Sequence, residues 1–318
     1  MRILWLDDDR SMRVCDFWTP LRVALEKIAE VETILRPLDM LEGAFCRACT
    51  LQGKKLPKVL DPARVNEFDW IISAAPWAYM LEDWDKITAK KAIFWGDCHG
   101  PMVRKFMAFA EEIGTDLFLP TYRDGCRKFQ AHLPPGKVEW VPYWVAQSYL
   151  HDYGERKTVG FLQTGVIHPH VYPWRTRIFD AINGRPWYLQ VDRPRERMDG
   201  NYWPVGEDYG RLINTAKIAS ACTSRFHYPV SKLFEIPSCR CALLCDTIPE
   251  MADLGFVPWV NYLPLEEGMD ILKMTMDWLS EQKAAELEAI TDAGYRLMAD
   301  RHTTDIRARE LVEILGRH

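Results

Sequence analysis

The feature that most restricts this chain is a rhythm that runs twice. Short apolar runs alternate with longer stretches of helical periodicity, and near the middle the pattern breaks and begins again. In the first half, residues 3–6, 31–35, 69–73, 92–95, 116–119 and 138–141 read as strands, with helices expected over 20–30 and 101–113. A helix between successive strands requires a crossover, and crossovers give parallel pairing with both sheet faces covered. After the polar stretch at 143–157, strands are expected at 158–162, 187–191, 218–221 and 242–245. Helices are expected between them at 175–182, 209–215 and 230–236, then at 269–281, 283–299 and 304–315. The fold class is therefore α/β, with two Rossmann-like, doubly wound domains: residues 1–145, residues 146–303, and a last helical segment at 304–318. A length of 318 residues suits two domains.

Composition narrows the function classes. The chain is 48% hydrophobic and 27% charged, which supports two real cores. A net charge of −5 argues against a protein held to nucleic acid by bulk charge. No apolar run approaches the ~18 residues of a membrane helix. The opening apolar run at 3–6, followed by Asp7, Asp8 and Asp9, is too short for a secretory leader. Nine cysteines are scattered without paired metal-binding spacing. Cys46 and Cys49 form one close pair with no second pair to complete a zinc site, and Cys239, Cys241 and Cys245 fit a buried strand entry. Reduced cysteines and a cytoplasmic setting are expected.

The most informative segment is 231–256, SKLFEIPSCRCALLCDTIPEMADLGF. It resembles the nucleotide-binding segment of the GT-B glycosyltransferases of the family 4-like superfamily, where a helix carrying a glutamate leads into an apolar strand and an acidic loop. The match is closer to the CgeB-like (spore-maturation) group, because DAGYRLMADRHTTDIRARELVEIL supplies Gly294, His302, Thr303 and Arg307 in that group's C-terminal pattern. TVGFLQTG, YPWRTRIFDAI and YGRLINTAKIASAC resemble the opening and middle of the same domain, so the likeness covers about residues 138–315. It implies two domains facing a cleft, a C-terminal helix crossing back to the first domain, and a nucleotide-sugar donor, with a UDP-sugar expected.

The residue chemistry fits that implication. A sugar nucleotide presents a diphosphate, which needs cations and N–H groups, and a ribose diol, which suits a fixed carboxylate. Glu235 matches the family's ribose-binding glutamate; its alternative is an ordinary helix carboxylate. The family's second glutamate, eight positions earlier, is His227 here, so the usual sugar contact is replaced by a histidine or lost. Arg240 stands where a glycine is usual. Lys232, one turn before Glu235, is a diphosphate candidate or a solvated surface lysine. Thr164 and Gly165 open the loop leading to Arg175 and Arg177, a strand–loop–helix opening where phosphate would dock, although it is neither a P-loop nor GxGxxG. That loop also holds His168 and His170. Tyr228 is a candidate base-stacking ring or simply a wall.

On the acceptor side, FWGDCHG places Asp97 and His99 after a strand and before a helix. Either is a candidate catalytic base if the sugar is inverted; if the configuration is retained, as the resemblance implies, a base is less needed. Helix capping by Asp97 is the competing reading. No metal site and no cofactor are expected, since adjacent aspartates at 7–9 cannot all face one ion. The acceptor is a hydroxyl of a glycan, lipid-linked or small molecule. A second reading makes it a hydroxymethylated base in phage DNA, using Lys54, Lys55, Lys58, Arg104, Lys105, Arg123, Arg127 and Lys128 as a basic groove. A third reading is a non-catalytic nucleotide-sugar-binding protein, and a sugar-nucleotide epimerase is a fourth.

Overall fold

The computed structural model of the protein describes residues 1–8, 17–36, 62–74, 84–96, 102–133, 136–192 and 206–318. Two compact units divide the chain: Met1–Met12 with Trp18–Pro142 and Asp305–His318, and Arg13–Phe17 with Tyr143–Thr304.

The first unit is built on strands β1 (Arg2–Asp8), β2 (Glu30–Arg36), β3 (Trp70–Ser73), β4 (Lys90–Trp95) and β5 (Leu117–Pro120). All pair in parallel, in the order β2-β1-β3-β4-β5. Ile3, Leu4, Trp5 and Leu6 are all buried, so both faces of β1 are covered and the strand reads as a run, not an alternation. Helix α1 (Trp18–Glu26) buries Leu21, Ala24 and Leu25. The short α2 (Pro62–Val65), then α3 (Met102–Glu112) and α4 (Arg123–Gln130), follow in chain order.

The expected strand at 138–141 is corrected. Glu139 and Val141 donate to the Phe118 and Pro120 carbonyls of β5, but the only bridge is Phe118 with Val138. Pro120 and Pro142 have no N–H, so the ladder stops there.

In the second unit the strands are β6 (Val159–Thr164), β7 (Tyr188–Val191), β8 (Ala216–Ser220), β9 (Ala242–Asp246) and β10 (Leu263–Leu265). Their order is β10-β9-β8-β6-β7, again parallel. Helices α5 (Pro173–Ile182), α6 (Gly206–Asn214), α7 (Lys232–Ser238), α8 (Glu250–Asp253), α9 (Ile271–Trp278) and α10 (Ala284–Arg301) complete the unit. Phe161, Ile178, Ile218, Leu244 and Leu287 form part of its core. Burying a side chain of this size fully stabilises by roughly 1.5–3 kcal/mol. The last helix, α11 (Thr304–Arg317), has its length from Asp305 onward in the first unit, where Lys27 pairs with Asp305 at 2.9 Å and Lys90 donates to the His318 carbonyl at 2.7 Å.

The stretch at 143–157 has the polar look of a linker but is largely packed. Trp144, Val145, Ala146 and Leu150 are buried, and the Trp144 indole donates to the Phe17 carbonyl at 3.0 Å. Gly294 marks a close approach: a Cβ there would lie 2.8 Å from the Asn261 carbonyl oxygen, so only glycine lets α10 pass. In the same signature His302 Nε2 bonds the Leu254 carbonyl at 2.8 Å and meets the Phe234 ring edge-on. Gly294 and His302 thus hold the fold together.

Candidate functional site

In a doubly wound sheet the loops leaving two neighbouring strands diverge where the strand order reverses, and ligands bind there. In the second unit that point lies between β6 and β8. A chain of side chains ties the two strands below it. The Ser220 hydroxyl donates to Gln163 Oε1 at 3.2 Å, and Gln163 Nε2 donates to the Arg175 carbonyl at 3.0 Å.

The loop after β6 begins at Thr164, which is buried, and turns at Gly165 with φ of +96°. A Cβ on Gly165 would sit 3.1 Å from Arg175 Nη1, so the missing side chain makes room for the guanidinium. Arg175 reaches back from the first turn of α5, donates to the Val166 carbonyl at 2.8 Å, and lies 4.0 Å over the Tyr172 ring. Only 7% of it is exposed, and no carboxylate among the described residues pairs with it. Burial pushes its pKa down; Cys222, Tyr172, Tyr209 and the carboxylate of Asp192, which is near enough to act through its charge but forms no ion pair with it, act in the other direction. Arg177, two positions on, faces elsewhere: it stacks on Trp174 and pairs with Glu267 at 2.8 Å.

The loop after β8 is fixed by Asp246 at the end of β9. Its Oδ1 accepts from the Thr223 N–H at 3.0 Å, and its Oδ2 accepts from the Thr223 hydroxyl. Ser224 and His227 both take left-handed backbone, with φ of 61° and 55°. Non-glycine residues rarely do so, and a tight turn holds them there. The Arg225 N–H reaches across to the Val171 carbonyl at 2.9 Å, joining the two loops. His227 is exposed at the tip. Tyr228 is buried and stacks on Phe226 at 5.9 Å, so its ring lies within the loop's own packing.

Glu235 stands in the first turn of α7 and is 2% exposed. Its two carboxylate oxygens are held separately. The Tyr209 hydroxyl of α6 donates to Oε2 at 2.8 Å, and the Ser231 hydroxyl donates to Oε1 at 2.5 Å. A carboxylate accepts about four hydrogen bonds, so this fixes the group without exhausting it. The Lys232 ammonium lies 5.9 Å over the Tyr209 ring. Tyr209 therefore links the cluster: it bonds Glu235, underlies Lys232 and neighbours Arg175 electrostatically.

Of the residues expected from sequence, Arg175, Thr164 and Gly165 come together on one loop, and Glu235 and Lys232 share α7. Asp97 and His99 lie outside the described residues, as do Asp9, Cys46, Cys49 and Lys54, Lys55 and Lys58. Tyr209, Thr223 and Asp246 were not foreseen as site residues. The only signal for Asp246 was its place at the end of an apolar run, and Tyr209 carries no motif at all. The described cysteines Cys126, Cys222, Cys239, Cys241 and Cys245 are free and buried. No described group of His, Cys, Asp and Glu could hold a metal ion, and no described helix is long and apolar enough to cross a membrane.

Two Rossmann-like units carried in series on one chain define a protein of the GT-B fold. Residues 171–313 match the family of glycosyl transferase-like proteins. The solved structure of HepE from Anabaena in complex with UDP-glucose is similar over 100% of both chains, at 12% identity and a TM-score of 0.64. So is a glycosyltransferase from Rickettsia africae, over 99% of this chain and 98% of that one, at 12% identity and a TM-score of 0.59. A UDP-N-acetylglucosamine 2-epimerase matches at 10% identity and a TM-score of 0.51, over 98% and 95%. No curated protein sequence matches the chain.

Proposed function

We propose that the protein is a glycosyltransferase that moves a sugar from a nucleotide sugar to a hydroxyl acceptor, and that the second unit holds the donor. The observation that carries this reading is Arg175, a buried guanidinium with no described carboxylate partner, set beneath Gly165 where the strand order reverses. A buried cation is costly unless an anion meets it, and the donor's diphosphate is such an anion. Glu235, held rigid by Tyr209 and Ser231, is the carboxylate for the ribose diol. The glycosyl transferase-like match over residues 171–313 includes Arg175, Tyr209, Ser231 and Glu235.

In the transfer, the acceptor oxygen forms a bond to the anomeric carbon while the bond from that carbon to the diphosphate oxygen breaks. The electron pair leaves with the diphosphate. Arg175 and Lys232 offset that developing charge, so we expect no added metal to be required. The acceptor proton goes to a base for which Asp97 and His99 are the candidates, or, if configuration is retained, to the departing diphosphate oxygen. UDP is the expected nucleotide, since HepE is described with UDP-glucose. On its C-terminal signature we place the chain near the CgeB-like group.

A second reading is favoured by the epimerase that shares the fold. The two separate in one experiment. Thermal melting with UDP, GDP, ADP, CMP and their sugars, without metal, should show a shift for one nucleotide, because ligand bound to the folded state raises its apparent stability. Incubation with that nucleotide's sugar should then give transfer or slow donor hydrolysis. An epimerised donor would replace the transferase reading. Binding without turnover would leave a nucleotide-sugar-binding protein, and no shift at all would remove the donor site.

A further inference from the structure

The second sheet has another edge. Lys157 precedes β6, Lys217 is the second residue of β8, and Arg240 precedes β9, so three cations stand where three adjacent strands enter the sheet. This is the end opposite Arg175 and Glu235, about 13 Å away along a five-residue strand. The cations line a cavity of about 300 Å³ whose far wall is the end of α9 and the first turns of α10. Trp278, Leu279 and Leu287 give that wall an apolar part, beside Ser280, Thr291 and the carboxylates Glu288 and Asp292.

The residues that line the cavity include one cation more than carboxylates. Arg240 is satisfied by Asp292 at 2.6 Å and Asp152 at 3.6 Å. The Lys157 ammonium donates to the Asn214 and Arg240 carbonyls, both at 2.6 Å, which leaves one of its three N–H groups. Lys217 has no ion-pair partner among the described residues. Glu288 is the one lining carboxylate not already paired with Arg240, and it too has no described partner. The lining itself thus carries three cations, Lys157, Lys217 and Arg240, against two carboxylates, Asp292 and Glu288, with Asp152 reaching Arg240 from outside it. The Ser280 hydroxyl oxygen, another lining group, is buried without a hydrogen-bond partner.

We propose that this cavity is a second small-molecule site, taking a flat apolar body that carries a single anionic group. The body lies against Trp278, Leu279 and Leu287, and the anion meets Lys217 and the remaining N–H of Lys157. Burial lowers the Lys157 pKa, and an arriving anion would raise it again. The site does not depend on the glycosyltransferase reading.

Lys157 also ties together the C-terminal ends of α6 and α7, so replacing it risks the fold; the test uses Lys217, which is exposed. The probe is 4-(trifluoromethyl)benzoate, followed by fluorine NMR on the full chain. Saturable line broadening is expected. The neutral 4-(trifluoromethyl)benzyl alcohol should bind about tenfold more weakly, as should the benzoate to Lys217→Glu, and Ala284→Trp should block binding by filling the cavity from α10. The far-UV circular dichroism spectrum and the melting temperature of the ligand-free chain serve as the fold control, and both variants should keep them. Absence of broadening, equal binding of the alcohol, or binding that survives both substitutions would overturn the proposal.

Discussion

The two edges of the second sheet handle charge in opposite ways. At the edge the strands leave, the charged groups are buried and set in place before any ligand arrives: Glu235 by two hydroxyls, Asp246 by Thr223, Arg175 by a carbonyl and a ring. At the edge the strands enter, an apolar wall faces cations, one of which, Lys217, is exposed. A preorganised edge loses little freedom on binding and suits one ligand; an edge with an exposed lysine is more tolerant. The difference assigns the demanding recognition to the first edge and the looser one to the second.

Dryness does not explain that difference, and pH tests the point with the largest effect. Cys239 and Cys241 lie at the entering edge of β9, Cys222 and Cys245 at the leaving end, and burial raises all four above the ordinary 9.0, Cys241 to about 12. A thiol whose pKa is raised by folding is stabilising below 9 and loses that contribution as pH climbs through its folded value. Each such thiol costs up to about 1.4 kcal/mol per pH unit in this window. Tyr153, pushed up to about 12, adds to the loss above pH 10, and Lys157, pushed down by burial, opposes it. Urea midpoints should fall steeply between pH 9 and 10.5. A flat profile, with fast alkylation of folded protein, would mean that these edges are wet.

Arg175→Met tests the leaving edge directly. Nucleotide affinity should fall about 100-fold, or ~2.7 kcal/mol. The ligand-free protein should melt no earlier, because removing a buried cation without a carboxylate partner relieves desolvation. Lys217→Ala should change nucleotide affinity less than twofold. Earlier melting of ligand-free Arg175→Met with affinity intact would make Arg175 a structural residue and erase the contrast between the edges.

Sequence carried the architecture better than the site. Strands β1, β3, β4 and β9 were legible because covered parallel strands are written as apolar runs. Strand β10 was not: it is a three-residue edge strand with Pro264 inside it. Glu235 was legible through a motif, whereas Tyr209 was not, since its role arises only when α6 brings its hydroxyl to a residue 26 positions away. Tyr209→Phe keeps the packing and removes that bond. It should weaken UDP binding about tenfold, and the loss should shrink for 2′,3′-dideoxy-UDP, which lacks the diol that Glu235 is proposed to hold. An equal loss for both nucleotides would make Tyr209 a packing residue instead.

The smallest effect is the most discriminating for the first turn of α5. Arg175 and Arg177 are two residues apart in one helix opening, and only Arg175 is the phosphate candidate from sequence. On a helix, positions i and i+2 point to different sides. Arg175 turns under Gly165, while Arg177 turns outward to Glu267, a pair in which the two side chains are 38% and 80% exposed. Exposed pairs of this kind are worth ~0–1 kcal/mol. Arg177→Ala should therefore cost under about 1 kcal/mol in urea unfolding and leave nucleotide affinity within about twofold. A tenfold loss of affinity would show that α5 turns both arginines toward the nucleotide when it binds, and the buried, carboxylate-free Arg175 would no longer be the group that distinguishes this edge.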